Sequence, residues 1–536
     1  MPKSISARTA LCLAPFAWLA LSLAASSPAT GAEKPRLSGT RPNVLFILAD
    51  DLSYRDLSCF GQTRFQTPNL DRLAREGLVF PYAYSGAPEC APSRASLMTG
   101  MHMGHCRVRL NASARGSQEP LRDEDVTVAE VLHGAGYATG YIGKWGVGLL
   151  ESEGVPHQQG FDLAFGFYDQ RRAHTYYPDF FVRNGIKIPL PQNHGFNMKR
   201  VYQYNRKPAG QAEGLENTYT PEGRLVADGV ADPGRVVNSE ATFQQEALQF
   251  IREHARSPFF LYYATQIPHG PTISPDLGPL ARLDWPSLKH KEWAAMIRHL
   301  DRGVGRMVSL LEELGIRDNT VIFFASDNGY AHWGYFGRKR YLDDPFFHNK
   351  GPFRGGKFIC QEGGVRVPFF ANWPGKIRAG RSDHICALYD FLATAADLAG
   401  ADHVPPTDGL SLVAELGGQT DLQPKHEALY WENGGHNQHA QAVRMGPWHA
   451  YRPHPEKPTE LYRIDDDPAC EHDLAAQHPD VVRKIEAIFA REHTDSEWFR
   501  NPGETNAQYK AKRAKAEALG QTWESRQPNM SQEEQP

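Results

Sequence analysis

The sequence predicts an α/β fold: an open sheet flanked by helices, with a smaller C-terminal α+β subdomain. Three observations carry this. Residues 43–48, 258–264 and 320–325 are almost unbroken apolar runs, the pattern of parallel strands covered on both faces. Segments with apolar residues at helical spacing lie between them. Polar residues gather where the runs end, at Asp50-Asp51 and Asp327-Asn328-Gly329, and open α/β sheets bind ligands beyond the C-terminal ends of their strands.

The elements follow in chain order. Lys3 and Arg8 precede an apolar run over 10–25, and small residues such as Thr30-Gly31-Ala32 come next. That order reads as a secretory signal over 1–32, so the expected location is secreted or periplasmic. Pro15 and Ser22 interrupt the run, which is short for an anchor, and no later stretch could span a bilayer. Residues 33–40 are a polar linker. Thr67-Pro68-Asn69 introduces a helix over 70–76, stopped by Gly77. Thr127 and Glu130 are spaced as a capping box for a helix over 127–133, and 136–142 returns as a strand. Residues 151–238, rich in Gly, Pro, Asn and aromatics, read as long loops and short elements around a site. Helices are expected over 239–255 and 291–314.

After about residue 414 the pattern shifts to short strands, 428–431, 441–445 and 448–451, followed by a helix over 479–491. The main domain therefore spans 41–414 and the subdomain, with an antiparallel sheet, 415–500. Residues 501–536 are polar and poor in aliphatic side chains, which predicts a flexible tail.

The chain has 536 residues and a formal net charge of -4, which points to neither nucleic acid nor an anionic membrane as partner. Loss of the signal leaves Cys59, Cys90, Cys106, Cys360, Cys386 and Cys470. With Cys90 modified the remainder is odd, which argues against a full disulfide framework, though an oxidising compartment allows one or two bridges. The absence of C-x-x-C leaves structural zinc without support.

The chemistry centres on Cys90-Ala-Pro-Ser-Arg94, continued by Leu97-Met-Thr-Gly100. Pro92 can sit in the first turn of a helix and Gly100 can end it. Such a helix aims its unpaired N–H groups and positive end at an anion handled by Cys90.

This stretch resembles the sulfatase signature, in which the cysteine of C-x-P-S-R is oxidised to formylglycine. The resemblance runs from Arg41 to about Cys470. It implies the alkaline-phosphatase-like fold, sulfuric ester hydrolysis, a maturase that oxidises Cys90, and a sulfated carbohydrate or other sulfate ester as substrate. Asp50, Asp51, Asp327 and Asn328 offer only oxygen donors, which suit Ca²⁺, with Mg²⁺ as the alternative. The resemblance implies that these four, with the oxygen on modified Cys90, hold the metal. Three carboxylates need compensating cations to admit an anionic ester. Arg94, Lys144 in Gly-Lys-Trp, and Lys357 ahead of Glu362-Gly-Gly-Val-Arg-Val-Pro368 match the family's cations. His269, in Pro268-His269, matches the family histidine that protonates the departing alcohol or binds sulfate.

One position departs from the pattern. Gly146 stands where the usual Gly-Lys-Trp-His-x-Gly motif has a histidine that contacts the formylglycine hydroxyl. Either another residue serves, or the step needs less help, or the chain is inactive; the first is the expectation, with His174 in Ala-His-Thr-Tyr-Tyr-Pro178 a candidate. Two alternatives to a sulfatase stay open at this level: a phosphomonoester or phosphonate hydrolase of the same fold, and a non-catalytic binder of sulfated glycans.

Overall fold

The computed structural model describes residues 34–170, 172–193, 218–227, 236–331, 343–434 and 439–522. The expected signal segment therefore lies outside the described residues, as do 194–217 and 228–235. Ten strands make the main sheet. They are β1 (Asn43–Asp50), β2 (Leu78–Val79), β3 (Ala138–Lys144), β4 (Leu163–Phe167), β5 (Phe180–Arg183), β6 (Ile186–Pro189), β7 (Phe259–Pro268), β8 (Thr320–Ser326), β9 (Phe369–Asn372) and β10 (Gly380–Arg381). Their order across the sheet is β10-β2-β9-β8-β1-β7-β3-β4-β5-β6. The apolar runs read from the sequence are the central strands: β1 pairs parallel with β7 and with β8, and β7 pairs parallel with β3.

Alternation along β1 explains why these strands read as continuous hydrophobic runs. Val44, Phe46 and Leu48 pack with the helices α2 (Cys90–Thr99), α3 (Val128–Gly134) and α6 (Asp390–Ala399). Leu45, Ile47 and Ala49 pack on the other face with α1 (Pro68–Arg75), α4 (Ser239–Glu253) and α5 (Leu288–Glu313). Both faces are covered, so neither parity can be polar. The expected capping box is present: Glu130 N donates to Thr127 Oγ1 and Thr127 N donates to Glu130 Oε2.

Two sequence expectations need correction. The short elements expected within 151–238 include β4, β5 and β6, which continue the sheet to its edge; Ile186 and Lys187 of β6 face solvent. The C-terminal sheet has four antiparallel strands, not three: β11 (Leu429–Asn433), β12 (Ala440–Met445), β13 (Trp448–Arg452) and β14 (Glu460–Arg463). Beyond them come α7 (Pro479–Glu492) and α8 (Asn506–Ala518), and α8 occupies the stretch expected to be flexible. Only Ala516 of α8 is buried, so composition carries no amphipathic stripe. It is tied down instead by Lys512 Nζ, which donates to the carbonyls of Ser496 (2.7 Å) and Phe499 (2.6 Å). All six described cysteines are free thiols.

From Pro35 onward the chain forms one compact unit, and a buried polar cluster binds the C-terminal sheet to the main body. Glu362 accepts from Arg366 Nη1 (2.7 Å) and Tyr84 Oη (3.0 Å), with His449 of β13 3.4 Å away. Arg444 of β12 donates to the same tyrosine hydroxyl at 3.0 Å. Burial opposes ionisation of Glu362, but Arg366, His449 and Arg444 overcome it and hold the carboxyl well below its ordinary range. Glu362→Ala strands Arg366 as a buried charge and is expected to cost about 3–5 kcal/mol in denaturant unfolding. Because the folded-state pKa is depressed, the ionised pair stabilises above the unfolded carboxyl's pKa. That contribution is lost as pH falls below about 4.5. Wild type should lose stability through this window, and the variant should lose less.

Candidate active site

The parallel strands β1, β8, β7 and β3 deliver their polar ends to one edge of the sheet. Asp50 ends β1, and Asp51 turns immediately, its φ of 65° lying in the left-handed region that Asp tolerates better than most residues. The turn lets Asp51 N donate to Asp327 Oδ1 at 3.1 Å, joining the exits of β1 and β8. Asn328 spends its amide hydrogens on Asp51 Oδ1 (2.8 Å) and the Gly329 carbonyl (3.0 Å), so its Oδ1 faces Cys90 Sγ at 3.6 Å. Asp50 Oδ1 is 3.4 Å from the same sulfur. Donor atoms of Asp50, Asp51, Cys90 and Asp327 lie within 4.8 Å of one another, all buried.

Cys90 opens α2, and Gly100 ends it in the left-handed conformation (φ 71°) with its N–H on Ser96 O. The helix start is not left bare for a ligand, as the sequence suggested. Ala91 N donates to Asn111 Oδ1 (2.9 Å), and Glu89 accepts from Asn111 N (3.0 Å) and Asn433 Nδ2 (3.1 Å).

The cations fall as the motifs place them. Lys144 Nζ, at the end of β3, is 2.6 Å from Asp50 Oδ2, and Lys357 Nζ is 2.6 Å from Asp51 Oδ1 and 3.1 Å from Cys90 Sγ. Arg94 donates to Asp327 Oδ2 through Nε (3.1 Å) and Nη2 (2.8 Å), and to the Lys144 carbonyl through Nη1 (2.6 Å). Three carboxylates and three cations thus balance formally.

Burial works against ionisation of Asp50, yet Lys144, His269 and Arg94 hold its carboxyl well below the usual range. Burial and the adjacent Asp50 push Asp327 up to about 6, against the pull of Arg94. Oxygen donors this close together fit a hard divalent cation. The Cys90 thiol is pushed well above its ordinary value by burial and by Asp327, so the unmodified side chain is not a thiolate at neutral pH.

His269 Nδ1 lies 2.8 Å from the Gly270 carbonyl, which can only accept, so Nδ1 carries the hydrogen. That leaves Nε2 facing the cluster, 3.5 Å from Asp51 Oδ2. His174 stacks on His269, ring centroids 4.3 Å apart and 10° from parallel, so both histidines stand at the site. Burial, His269 and Lys144 keep His174 well below the ordinary imidazole range. All the residues singled out by sequence come together here. Sequence reading missed Tyr176, whose hydroxyl donates to the Gln266 and His269 carbonyls at 3.1 and 2.8 Å, and it missed Asn111. The Ala-His-Thr-Tyr-Tyr-Pro stretch was the available signal for Tyr176; no motif marks Asn111.

A doubly covered α/β sheet with a buried cluster of oxygen donors and cations at its strand exits is the arrangement of a hydrolase for an anionic ester. The family model for sulfatases matches residues 42–401, and the chain belongs to the sulfatase family. It is 34% identical over 419 residues to the N-acetylgalactosamine-6-sulfatase of Canis lupus familiaris, covering 75% of this chain and 70% of that one. It is 28% identical to the N-acetylgalactosamine-6-O-sulfatase of Bacteroides thetaiotaomicron, covering 84% of this chain and 92% of that one. Among solved structures, Ps i-CgsB in complex with k-i-k-neocarrahexaose aligns at a TM-score of 0.66 and 28% identity, over 89% of this chain and 98% of that one.

Proposed function

We propose that this sulfatase removes sulfate from a carbohydrate monoester, using formylglycine made from Cys90 by a maturase. The observation that carries the reading is the convergence of Cys90 with Asp50, Asp51, Asp327 and Asn328 under two lysines. A buried, protonated thiol is a poor nucleophile, which supports modification at this position. As an aldehyde hydrate, residue 90 attacks sulfur with one hydroxyl, which gives up its proton as the S–O bond to the alcohol breaks; the second hydroxyl then loses its proton, the bond from that carbon to sulfate breaks, and the restored aldehyde takes up water to re-form the hydrate. A divalent cation, Ca²⁺ by the count of oxygen donors, held by Asp50, Asp51, Asp327 and Asn328, would add positive charge at the reacting oxygens.

Lys144 and Lys357 neutralise the sulfate oxygens as charge builds on them. Arg94 keeps Asp327 and the Lys144 backbone in place. Lys357, or His269 once its Nε2 carries a proton, protonates the leaving alcohol; Nε2 of His269 faces the cluster and His174 stacks on its ring. The names of the relatives favour a 6-sulfated N-acetylgalactosamine as the first substrate to try, with sulfated oligosaccharides beside it. The signal pattern over 1–32 supports export, as secreted or periplasmic protein, and among the described residues no helix is long and apolar enough to cross a membrane.

The test is to express the protein with a formylglycine-generating maturase and weigh the peptide containing residue 90. A loss of about 18 Da relative to the thiol is expected, together with sulfate release from the sulfated sugar and little turnover of nitrophenyl phosphate. Active protein carrying only intact thiol would overturn the mechanism.

A further inference from the structure

We propose that Asn433, on the C-terminal sheet, is a positioning residue: it holds Lys357 at residue 90 by joining the segment that carries the lysine to the segment that carries the cysteine. This rests on the reading of Lys357 as a cation that neutralises sulfate.

Two stretches far apart in sequence run side by side at the site. Phe358 N donates to the Pro88 carbonyl (2.7 Å), so the residue after Lys357 is bonded to the residue two before Cys90. Asn433 closes the same junction from a third direction. Its Nδ2 donates to Glu89 Oε1 (3.1 Å) and to the Phe358 carbonyl (2.9 Å), one bond for each of its two hydrogens. A single nitrogen thus holds the neighbour of Cys90 and the neighbour of Lys357, and sets their spacing. Glu89 is fixed in turn. Its other oxygen accepts from Asn111 N (3.0 Å), and Asn111 Oδ1 accepts from Ala91 N (2.9 Å).

Asn433 is itself anchored. It is buried at the end of β11 and pairs with Ala440 of β12. Trp431, two residues earlier and so on the same face of the strand, donates Nε1 to the Ser85 carbonyl (2.9 Å). β11 is therefore docked at two points along the chain that leads into Cys90.

Phe358 shows why such a clamp is needed. Its φ is 78°, in the left-handed region that a bulky L-residue avoids. A conformation of this kind persists only where the surroundings over-determine it. Here they do so through Phe358 N on Pro88 O, Asn433 Nδ2 on Phe358 O, and Lys357 N on the Tyr330 carbonyl (2.7 Å). Lys357 is the residue just before this turn, with Nζ 2.6 Å from Asp51 Oδ1 and 3.1 Å from Cys90 Sγ. Without the Asn433 amide, Phe358 relaxes towards an ordinary φ and the lysine moves with it.

The test uses full-length protein, with oxidation of residue 90 verified by mass and rates expressed per folded chain. Asn433→Ala is expected to lower kcat about 10²-fold with KM changed less than about threefold, the effect of displacing a group that acts as charge develops. In a Phe358→Gly background, where a positive φ is unstrained, the same substitution should cost less than about fivefold. Acetic anhydride should modify Lys357 at least about tenfold faster in Asn433→Ala than in wild type, because the amine leaves Asp51 more often. Asn433→Thr keeps one donor, should fall between the two, and serves if the alanine variant does not fold. Unchanged kcat and acetylation in Asn433→Ala, a lowered melting temperature with unchanged kcat per folded chain, or an equal cost in both backgrounds would overturn the proposal. Lys357→Ala runs in parallel. If it keeps full activity, or wild type releases no sulfate, the reading of Lys357 in the reaction falls, and the acetylation rates alone decide whether Asn433 holds the lysine. If Lys357→Ala is inactive beside an active wild type, the kinetic and acetylation results decide together.

Discussion

Cys90→Ala is expected to lower sulfate release by at least about 10⁴-fold, the scale seen when a nucleophile that works with its neighbours as a unit is removed. Fold and stability should hardly change, because a buried thiol and a methyl group differ by one atom at a site where the sulfur donates only weakly. Cys90→Ser is the sharper variant. Its hydroxyl occupies the same place between Asp50 and Lys357 and can attack sulfur once. It has no second hydroxyl on the same carbon, so it cannot expel sulfate by re-forming an aldehyde. The expected outcome is a covalent sulfate ester on residue 90, visible by mass, with turnover stopped after one event. Serine variants that cycle freely would show that the hydrate is not needed.

Asp327→Asn is expected to produce the next largest loss, about 10³-fold, through the cation rather than through the fold. Asp327 Oδ1 and Oδ2 serve three donors, Asp51 N and two nitrogens of Arg94, and an asparagine keeps the shape while removing one negative charge. Metal bound per chain, measured on the purified protein, should fall from about one equivalent towards zero, and wild type in chelator should lose activity to the same extent. An Asp327→Asn protein that keeps its metal but loses activity would assign the residue to holding Arg94. Undiminished turnover in chelator would remove the cation from the reaction.

Local features were legible because they depend on neighbours in sequence. The strand runs ending in Asp50 and in Asp327-Asn328, the Thr127–Glu130 capping box, and the stop of the Cys90 helix at Gly100 all follow from periodicity and turn chemistry within a few residues. β6 and α8 were not legible for the same reason in reverse. An edge strand facing solvent and a helix held by Lys512 and two carbonyls bury too little of themselves to impose a pattern on composition. Asn111 capping the start of α2 was equally invisible, since a lone asparagine twenty residues downstream carries no motif.

By itself the sequence determined the chemical inventory: an oxidisable cysteine, oxygen donors, two lysines and a histidine. Only the tertiary structure decided that these residues meet. Asp51 and Asp327 are 276 positions apart in sequence and share a 3.1 Å hydrogen bond because parallel strands leave the same edge of one sheet. It alone decided, too, what joins the segments of Cys90 and Lys357. Which chain segments become neighbours is a property of packing, and the amide that bonds to both, that of Asn433, comes from a different sheet.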